Sequence, residues 1–149
     1  MRAVIQRVSS CRVASGAEVS ASIDSGLLVY VGVAHDDQQR DLQYVADKIV
    51  HLRVFDDDQG RMNRDVRQAG AAVVVVSQFT LYGDTRKGRR PSYNRAAAPA
   101  DAQLLYRALI DLISGYGVVV GEGVFQAHMD VHSVIDGPVT ILVDSRKEF

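Results

Sequence analysis

The chain has 149 residues, of which 47% are hydrophobic, and its 17 Lys and Arg residues nearly balance 18 Asp and Glu residues. This length and composition predict one globular domain spanning residues 1–149. A formal net charge of −1 excludes a protein that coats nucleic acid or a membrane through overall positive charge. Cys11 is the single cysteine, which excludes an intrachain disulfide, and no apolar stretch is long enough to span a bilayer. We therefore expect a cytoplasmic protein with no membrane contact.

The first third of the chain has the pattern of a strand meander. Apolar and polar residues alternate from Val4 to Ser9, and Gly16 separates this strand from a second one at 18–23. The run Leu27 to Ala34 is apolar at both parities, which predicts a central strand that is covered on both faces.

Apolar residues that recur at helical spacing predict two amphipathic helices. The first has Asp36 or Asp37 as its expected N-cap, and its apolar stripe is Leu42, Val45, Ala46 and Ile49. The second begins at Pro99 and is stopped by Gly115 and Gly117. Its apolar stripe is Leu104, Leu105, Ala108, Leu109, Leu112 and Ile113.

The remaining apolar runs predict further strands. Ala71 to Val76 has the composition of core sheet, and Asp136-Gly137-Pro138 is the expected turn before the last strand. The other predicted strands are 53–55, 118–120, 125–134 and 139–143. Together these elements predict a mixed α/β fold, with a largely antiparallel, barrel-like sheet and two main helices.

A polar cluster, Ser77-Gln78-Phe79-Thr80, follows the strand 71–76 directly. Two hydroxyls, an amide and backbone N–H groups at a strand end are able to bind a carbonyl oxygen or to position a nucleophile. Polar residues also end strands for purely structural reasons. No His or Asp nearby in sequence supplies a general base, and no Gly-x-Ser-x-Gly motif is present.

A basic loop comes shortly after this cluster. It carries the cations Arg86, Lys87, Arg89, Arg90 and Arg95, and it includes Tyr93 as a stacking surface. This composition is equally compatible with contact to RNA phosphates and with a solvated surface loop.

Three polar side chains alternate along the predicted strand 125–134. His128, Asp130 and His132 would project from one face of that strand, where two imidazoles and a carboxylate are able to hold a divalent metal. The alternative is a strand face that simply meets solvent.

Four segments taken together resemble one known family. They are the opening 1–8, the block 77–84 that begins Ser77-Gln78-Phe79-Thr80, the block 87–93, and Gly137-Pro138-Val139-Thr140. In this order and across essentially the whole length, they are similar to the D-aminoacyl-tRNA deacylases, formerly called D-tyrosyl-tRNA deacylases. The resemblance implies a deacylase-like fold and a hydrolase that removes D-amino acids, and glycine, from the 3′ end of tRNA without a cofactor.

The resemblance also implies roles for individual residues. Ser77, Gln78 and Thr80 take catalytic places, with either Thr80 or the 2′-hydroxyl of the terminal adenosine carrying the chemistry. Phe79 and Met129 are implied to contact the substrate. The implied tRNA-binding residues are Arg86, Lys87, Arg89 and Arg90.

Gly137 and Pro138 match the family's Gly-cisPro motif, which each subunit of a homodimer inserts into its partner's active site to reject L side chains. Arg7 is implied to brace this segment. The chain departs from the family's usual residues shortly before the motif, with Gln126 for Gly, Ser133 for Leu and Ile135 for Asn. Two alternatives remain at this point: a non-catalytic tRNA-binding homologue, and a metal-dependent hydrolase built on His128, Asp130 and His132.

Overall fold

A computed structural model describes all residues 1–149. Its longest early element is β1 (Arg2–Ser15), which pairs antiparallel with β2 (Glu18–Ile23) through its second half. Through its first half β1 pairs antiparallel with β3 (Gly26–Gly32). The predicted meander is thereby confirmed.

The sheet continues from β3 by parallel pairing. β6 (Ala72–Ser77) lies beside β3, and β7 (Val120–Glu122) lies beside β6, which gives the strand order β2-β1-β3-β6-β7. Gly121 of β7 comes so close to Ala21 of β2 that an added Cβ would lie 2.9 Å from the Ala21 Cβ. The two edges of the sheet therefore approach each other, and the predicted mixed, barrel-like sheet is confirmed.

The central strands are buried on both faces, as their continuous apolar runs predict. Leu27 and Val29 of β3 face a large core shared with the two helices, whereas Leu28 faces a smaller cluster that contains Val8 and Val74. The end of β6 is held by β3, which pairs with it as far as Ser77, whereas β7 pairs only with Val73–Val75.

The helices α1 (Gln39–His51) and α2 (Pro99–Gly115) occupy the predicted positions, with two corrections. The N-cap of α1 is Gln38, not Asp36 or Asp37, and its backbone N–H donates to the Asp41 carboxylate at 2.9 Å. In α2 the predicted stripe residue Leu104 is 71% exposed, while Tyr106 is buried. None of the helices is long and apolar enough to cross a membrane.

A small hairpin consists of β4 (Phe55–Asp56) and β5 (Met62–Arg64). The expected strand 53–55 therefore starts two residues later, and its partner strand was not predicted. The sequence 125–129 precedes the last strand instead of belonging to it.

The last strand, β8 (Asp130–Asp144), corrects the prediction of two strands joined by a turn. It is one strand that pairs antiparallel with β1 along its length. Ile135 pairs with Val8 and Thr140 pairs with Gln6, so the four β8 residues 136–139 stand opposite Arg7 alone. Residues 136–139 therefore form a bulge, which we call the β8 bulge.

Candidate active site

The polar cluster lies at the carboxyl end of β6, where the sheet holds it in place. Ser77 is the last residue of β6, and the N–H of Gln78 donates to the carbonyl of Val31 at 2.7 Å. Phe79–Tyr82 then form a short 3₁₀ helix. The side-chain amide of Gln78 donates to the Thr80 hydroxyl oxygen. The cluster is thus presented on a rigid strand end, as the sequence predicts.

A cavity of about 640 Å³ opens beside this strand end, and most of the side chains that line it are apolar. Four residues that the resemblance points to, Ser77, Gln78, Phe79 and Met129, share its wall. Thr80 is not part of this wall. A volume of this size accommodates a small molecule or one nucleotide with its attached group.

Aromatic and sulfur side chains give the cavity flat, polarisable walls. Phe79 stands at its mouth, 58% exposed, and the ring of Tyr93 meets it edge to face with centroids 5.0 Å apart. Because Tyr93 belongs to the basic loop, this pair joins the loop to the cavity. Phe125 and Tyr106 pack against each other deeper in the wall.

The cavity contains hydrogen-bonding groups but no paired acid and base. The buried Tyr106 hydroxyl donates to the carbonyl of Val75 at 2.8 Å, and burial raises the pKa of this phenol. His128 is the one imidazole on the wall, and its side chain is 94% exposed. No Ser-His-Asp arrangement is formed among the residues that line the cavity.

The β8 bulge lies apart from this cavity, and neither Gly137 nor Pro138 lines it. The peptide bond between these residues is cis, in agreement with the resemblance. Both residues are exposed. Arg7 anchors the bulge from below: its Nη1 donates to the carbonyl of Val54 at 2.7 Å, and its Nε lies 2.9 Å from the Asp136 carboxylate.

Two of the five cations of the basic loop are already paired within the chain. Arg86 forms hydrogen bonds with Asp84 at 2.9 and 2.6 Å, which hold the pKa of this carboxyl far below its usual range. Arg95 binds both oxygens of Glu148 at 2.7 Å, and these hydrogen bonds lower the pKa of Glu148 to about 2. The cations without an acidic partner are Lys87, Arg89 and Arg90.

The metal-binding alternative is wrong, because the side chains do not come together. His128 precedes β8, and its Nε2 is 3.9 Å from the Asp130 carboxylate, with both side chains largely exposed. His132 lines a different, shallow depression. No group of three or more His, Cys, Asp or Glu residues in the chain could hold a metal ion.

Several residues of the site could not be predicted from the sequence. Asp136 and Glu148 pair with Arg7 and Arg95 across large sequence separations, and no local pattern indicates such a contact. Phe125, which the sequence predicts in a strand, lies in the cavity wall instead. Gln126, which also lines the cavity, has a positive φ of 62°. Its one sequence signal is that the resembling family usually has glycine there.

Comparison with known proteins identifies the class to which this fold and site belong. The model of the D-Tyr-tRNA(Tyr) deacylase family matches residues 4–144. A D-aminoacyl-tRNA deacylase of Symbiobacterium thermophilum is 51% identical over 100% of this chain and 99% of that protein. One from Heliobacterium modesticaldum is 53% identical over 98% of this chain and 97% of that protein.

A solved structure described as a c-Myc DNA unwinding element binding protein is similar in fold and sequence. It superimposes with a TM-score of 0.91 at 33% identity, covering 97% of this chain and 98% of that one. The family model and the two deacylase relatives show that the chain is a member of a hydrolase family with this fold. It belongs to the D-aminoacyl-tRNA deacylase family.

Proposed function

We propose that this chain hydrolyses the ester bond between a D-amino acid and the 3′ end of tRNA, and that residues 1–149 act as one deacylase domain. The observation that carries the proposal is the cavity at the end of β6, where Ser77, Gln78, Phe79 and Met129 lie together. Family membership supports the same reaction. Charged tRNA is used in the cytoplasm, which is the compartment we propose.

The reaction needs little from the side chains, because an aminoacyl ester is already activated. Water adds to the ester carbonyl, the bond to the ribose oxygen breaks, and the products are a free amino acid and tRNA. The 2′-hydroxyl beside the ester assists this addition, while Ser77 and Gln78 hold the ester and Thr80 holds the Gln78 amide in place. Each well-placed donor to the developing oxyanion contributes about 3 kcal/mol of barrier reduction.

The absence of a paired base beside Thr80 supports this division of labour. Its hydroxyl oxygen accepts a hydrogen bond from the Gln78 amide, and no imidazole or carboxylate hydrogen-bonds to it. A threonine nucleophile requires an adjacent base. We therefore assign Thr80 to positioning the Gln78 side chain, which lines the cavity.

Chiral selection is assigned to the β8 bulge, acting between two copies of the chain. Gly137 and Pro138 are exposed and do not line their own cavity, so they are available to a second copy. In the proposed homodimer each bulge enters the partner's cavity and leaves no room for an L side chain. Backbone that selects by shape is indifferent to the identity of a D side chain and also admits glycine, including glycine mischarged on tRNA-Ala.

Binding of the tRNA end is assigned to the basic loop. Lys87, Arg89 and Arg90 have no acidic partner and are free to contact phosphates. Arg86 also lies on this surface, although it forms an ion pair with Asp84. Tyr93 connects the loop to Phe79 at the cavity mouth, so that a tRNA held by the loop would deliver its end to the cavity.

One observation favours a second candidate, a nucleic-acid-binding protein without catalysis. A structure that is 33% identical is described as a DNA unwinding element binding protein, and the three unpaired cations would serve such binding too. This candidate binds tRNA with a strong salt dependence and does not hydrolyse its ester.

Stereospecific deacylation distinguishes the two candidates. D-tyrosyl-tRNA, L-tyrosyl-tRNA and glycyl-tRNA are each incubated with the purified chain, and the loss of the ester is followed over time. We expect fast loss with the D ester and glycyl ester and slow loss with the L ester. Equal, slow loss of all three would refute the deacylase proposal. Sedimentation equilibrium of the same sample tests the homodimer.

A further inference from the structure

Gln126 has a backbone conformation that ordinarily belongs to glycine. Its φ is +62°, and Lys147 near the C-terminus is the one other non-glycine residue with a positive φ. An L side chain in this region crowds its own backbone, so the conformation costs free energy that a glycine would not incur. A residue kept under such strain beside a cavity is an indication of function.

The side chain of Gln126 is also free to bind something. It lines the cavity between Phe125 and Ala127 and is exposed. Its amide makes no hydrogen bond to the protein, whereas the other amide of the cavity wall, that of Gln78, donates to Thr80. Gln126 therefore presents an unused donor and an unused acceptor at the edge of a mainly apolar cavity.

This combination fits the edge of a purine. Phe79, Tyr93, Phe125 and Met129 supply flat or polarisable surfaces on which a base can stack. A planar glutamine amide matches adenine in particular, because it can accept from the N6 amino group and donate to N7 at the same time. Guanine presents two acceptors at that edge and does not match.

We propose that Gln126 is a substrate-binding residue that hydrogen-bonds the N6 and N7 edge of the 3′-terminal adenine of the substrate tRNA. The inference rests on the proposed function for the identity of the substrate. It concerns a contact of this chain's own side chain, which a glycine at this position cannot make.

Two variants separate the contact from the strain. Gln126→Gly removes both the amide and the crowded Cβ, whereas Gln126→Ala removes the amide and keeps the Cβ. We expect Gln126→Gly to raise the Tm by about 2 to 4 °C and Gln126→Ala to leave it unchanged or lower. Both variants should raise KM for D-tyrosyl-tRNA about five- to tenfold, with a smaller change in kcat.

A substrate change tests the partner atom. Replacing the terminal adenosine by 7-deazaadenosine removes the N7 acceptor, and it should weaken binding to the parent chain about fivefold but leave binding to Gln126→Ala unaffected. Calorimetry with a non-hydrolysable amide analogue of D-tyrosyl-adenosine, and with its 7-deaza form, measures this without relying on catalysis. The proposal is overturned if the variants bind the analogue as tightly as the parent chain does. It is also overturned if the 7-deaza substitution weakens binding equally in the parent chain and in Gln126→Ala. Failure of hydrolysis with this binding pattern intact would refute the proposed function alone.

Discussion

The Nε atom of Arg7 lies 2.9 Å from Oδ2 of Asp136, across the point where β1 faces the β8 bulge. The N–H of this atom makes no hydrogen bond, so the contact is an ion pair and not an aligned hydrogen bond. Arg7 is 11% exposed, and its Nη1 is fixed by the Val54 carbonyl. A mostly buried, immobilised cation thus holds the first residue of the bulge.

Removing the charge of Asp136 should loosen the bulge without unfolding the chain. We expect Asp136→Asn to lower the ratio of kcat/KM for D-tyrosyl-tRNA over L-tyrosyl-tRNA by about two- to fivefold, since a half-exposed ion pair contributes at most about 1 kcal/mol. The matched control is Asp58→Asn, which removes the same charge from a residue that is 90% exposed and pairs with Arg64 instead. An equal loss of selectivity in the control would contradict the role of the Arg7 contact.

Gly137 should tolerate no side chain, for a reason that goes beyond its backbone conformation. Its φ is +120°, and an added Cβ would lie 2.8 Å from Cγ2 and 2.9 Å from N of Val139. We expect Gly137→Ala to abolish D-over-L selectivity and to lower the free energy of unfolding by at least about 2 kcal/mol, measured by urea denaturation.

Gly16→Ala is the control for that substitution. Gly16 also has a positive φ, +60°, but no atom lies within 4 Å of its added Cβ. Gly16→Ala should lower the free energy of unfolding by about 1 kcal/mol, which is the cost of the left-handed conformation alone. Equal losses at the two positions would show that the Val139 collision has no effect.

The elements that could be predicted from sequence are those whose burial is written into a local pattern. Continuous apolar runs identified the strands Gly26–Gly32 and Ala72–Ser77, and helical spacing identified Gln39–His51 and Pro99–Gly115. The cavity-lining role of Ser77 and Gln78 followed from their place directly after such a run.

The sequence does not distinguish the β8 bulge from a turn, because Asp-Gly-Pro is compatible with both. What distinguishes the two is the pairing of β8 with β1, whose residues lie more than a hundred positions away. The pairing of Arg95 could not be predicted for the same reason, because its partner Glu148 lies 53 residues later in the chain. Local sequence specifies periodicity, whereas these contacts are set by topology.

The basic loop should bind tRNA through its unpaired cations. We expect replacement of Lys87, Arg89 and Arg90 by Gln to make the slope of log K against log salt shallower by about 2, since each contact with a single strand contributes about 0.7. Arg86→Gln should change the slope less, because Asp84 must first release this cation. Fluorescence anisotropy with deacylated tRNA at several KCl concentrations measures both. A larger change from Arg86→Gln than from Arg89→Gln would contradict this assignment.

A buried ion pair outside the site should contribute measurably to the stability of the chain. The α-amino group of Met1 lies 2.5 Å from Oδ1 of Asp37, and both side chains are fully buried. Asp37→Asn leaves this ammonium without its counter-charge, which we expect to cost about 3 to 5 kcal/mol in urea denaturation. Asp36→Asn, at a neighbouring carboxylate that is 48% exposed, should cost less than about 1 kcal/mol. Comparable losses in the two variants would show that burial of the pair is unimportant.

Substitution of Thr80 distinguishes two roles for its hydroxyl, that of a nucleophile and that of a group that positions Gln78. The hydroxyl accepts a hydrogen bond from Gln78 and has no acidic or imidazole partner, so Thr80→Ala should lower kcat for D-tyrosyl-tRNA by about tenfold, the value of one hydrogen bond. Thr80→Ser retains the hydroxyl and should recover most of that loss. Removal of a true nucleophile lowers kcat by a factor of about 10⁶. A loss of that size in single-turnover measurements with Thr80→Ala would restore the covalent mechanism and remove the basis for assigning the chemistry to the ribose of the tRNA.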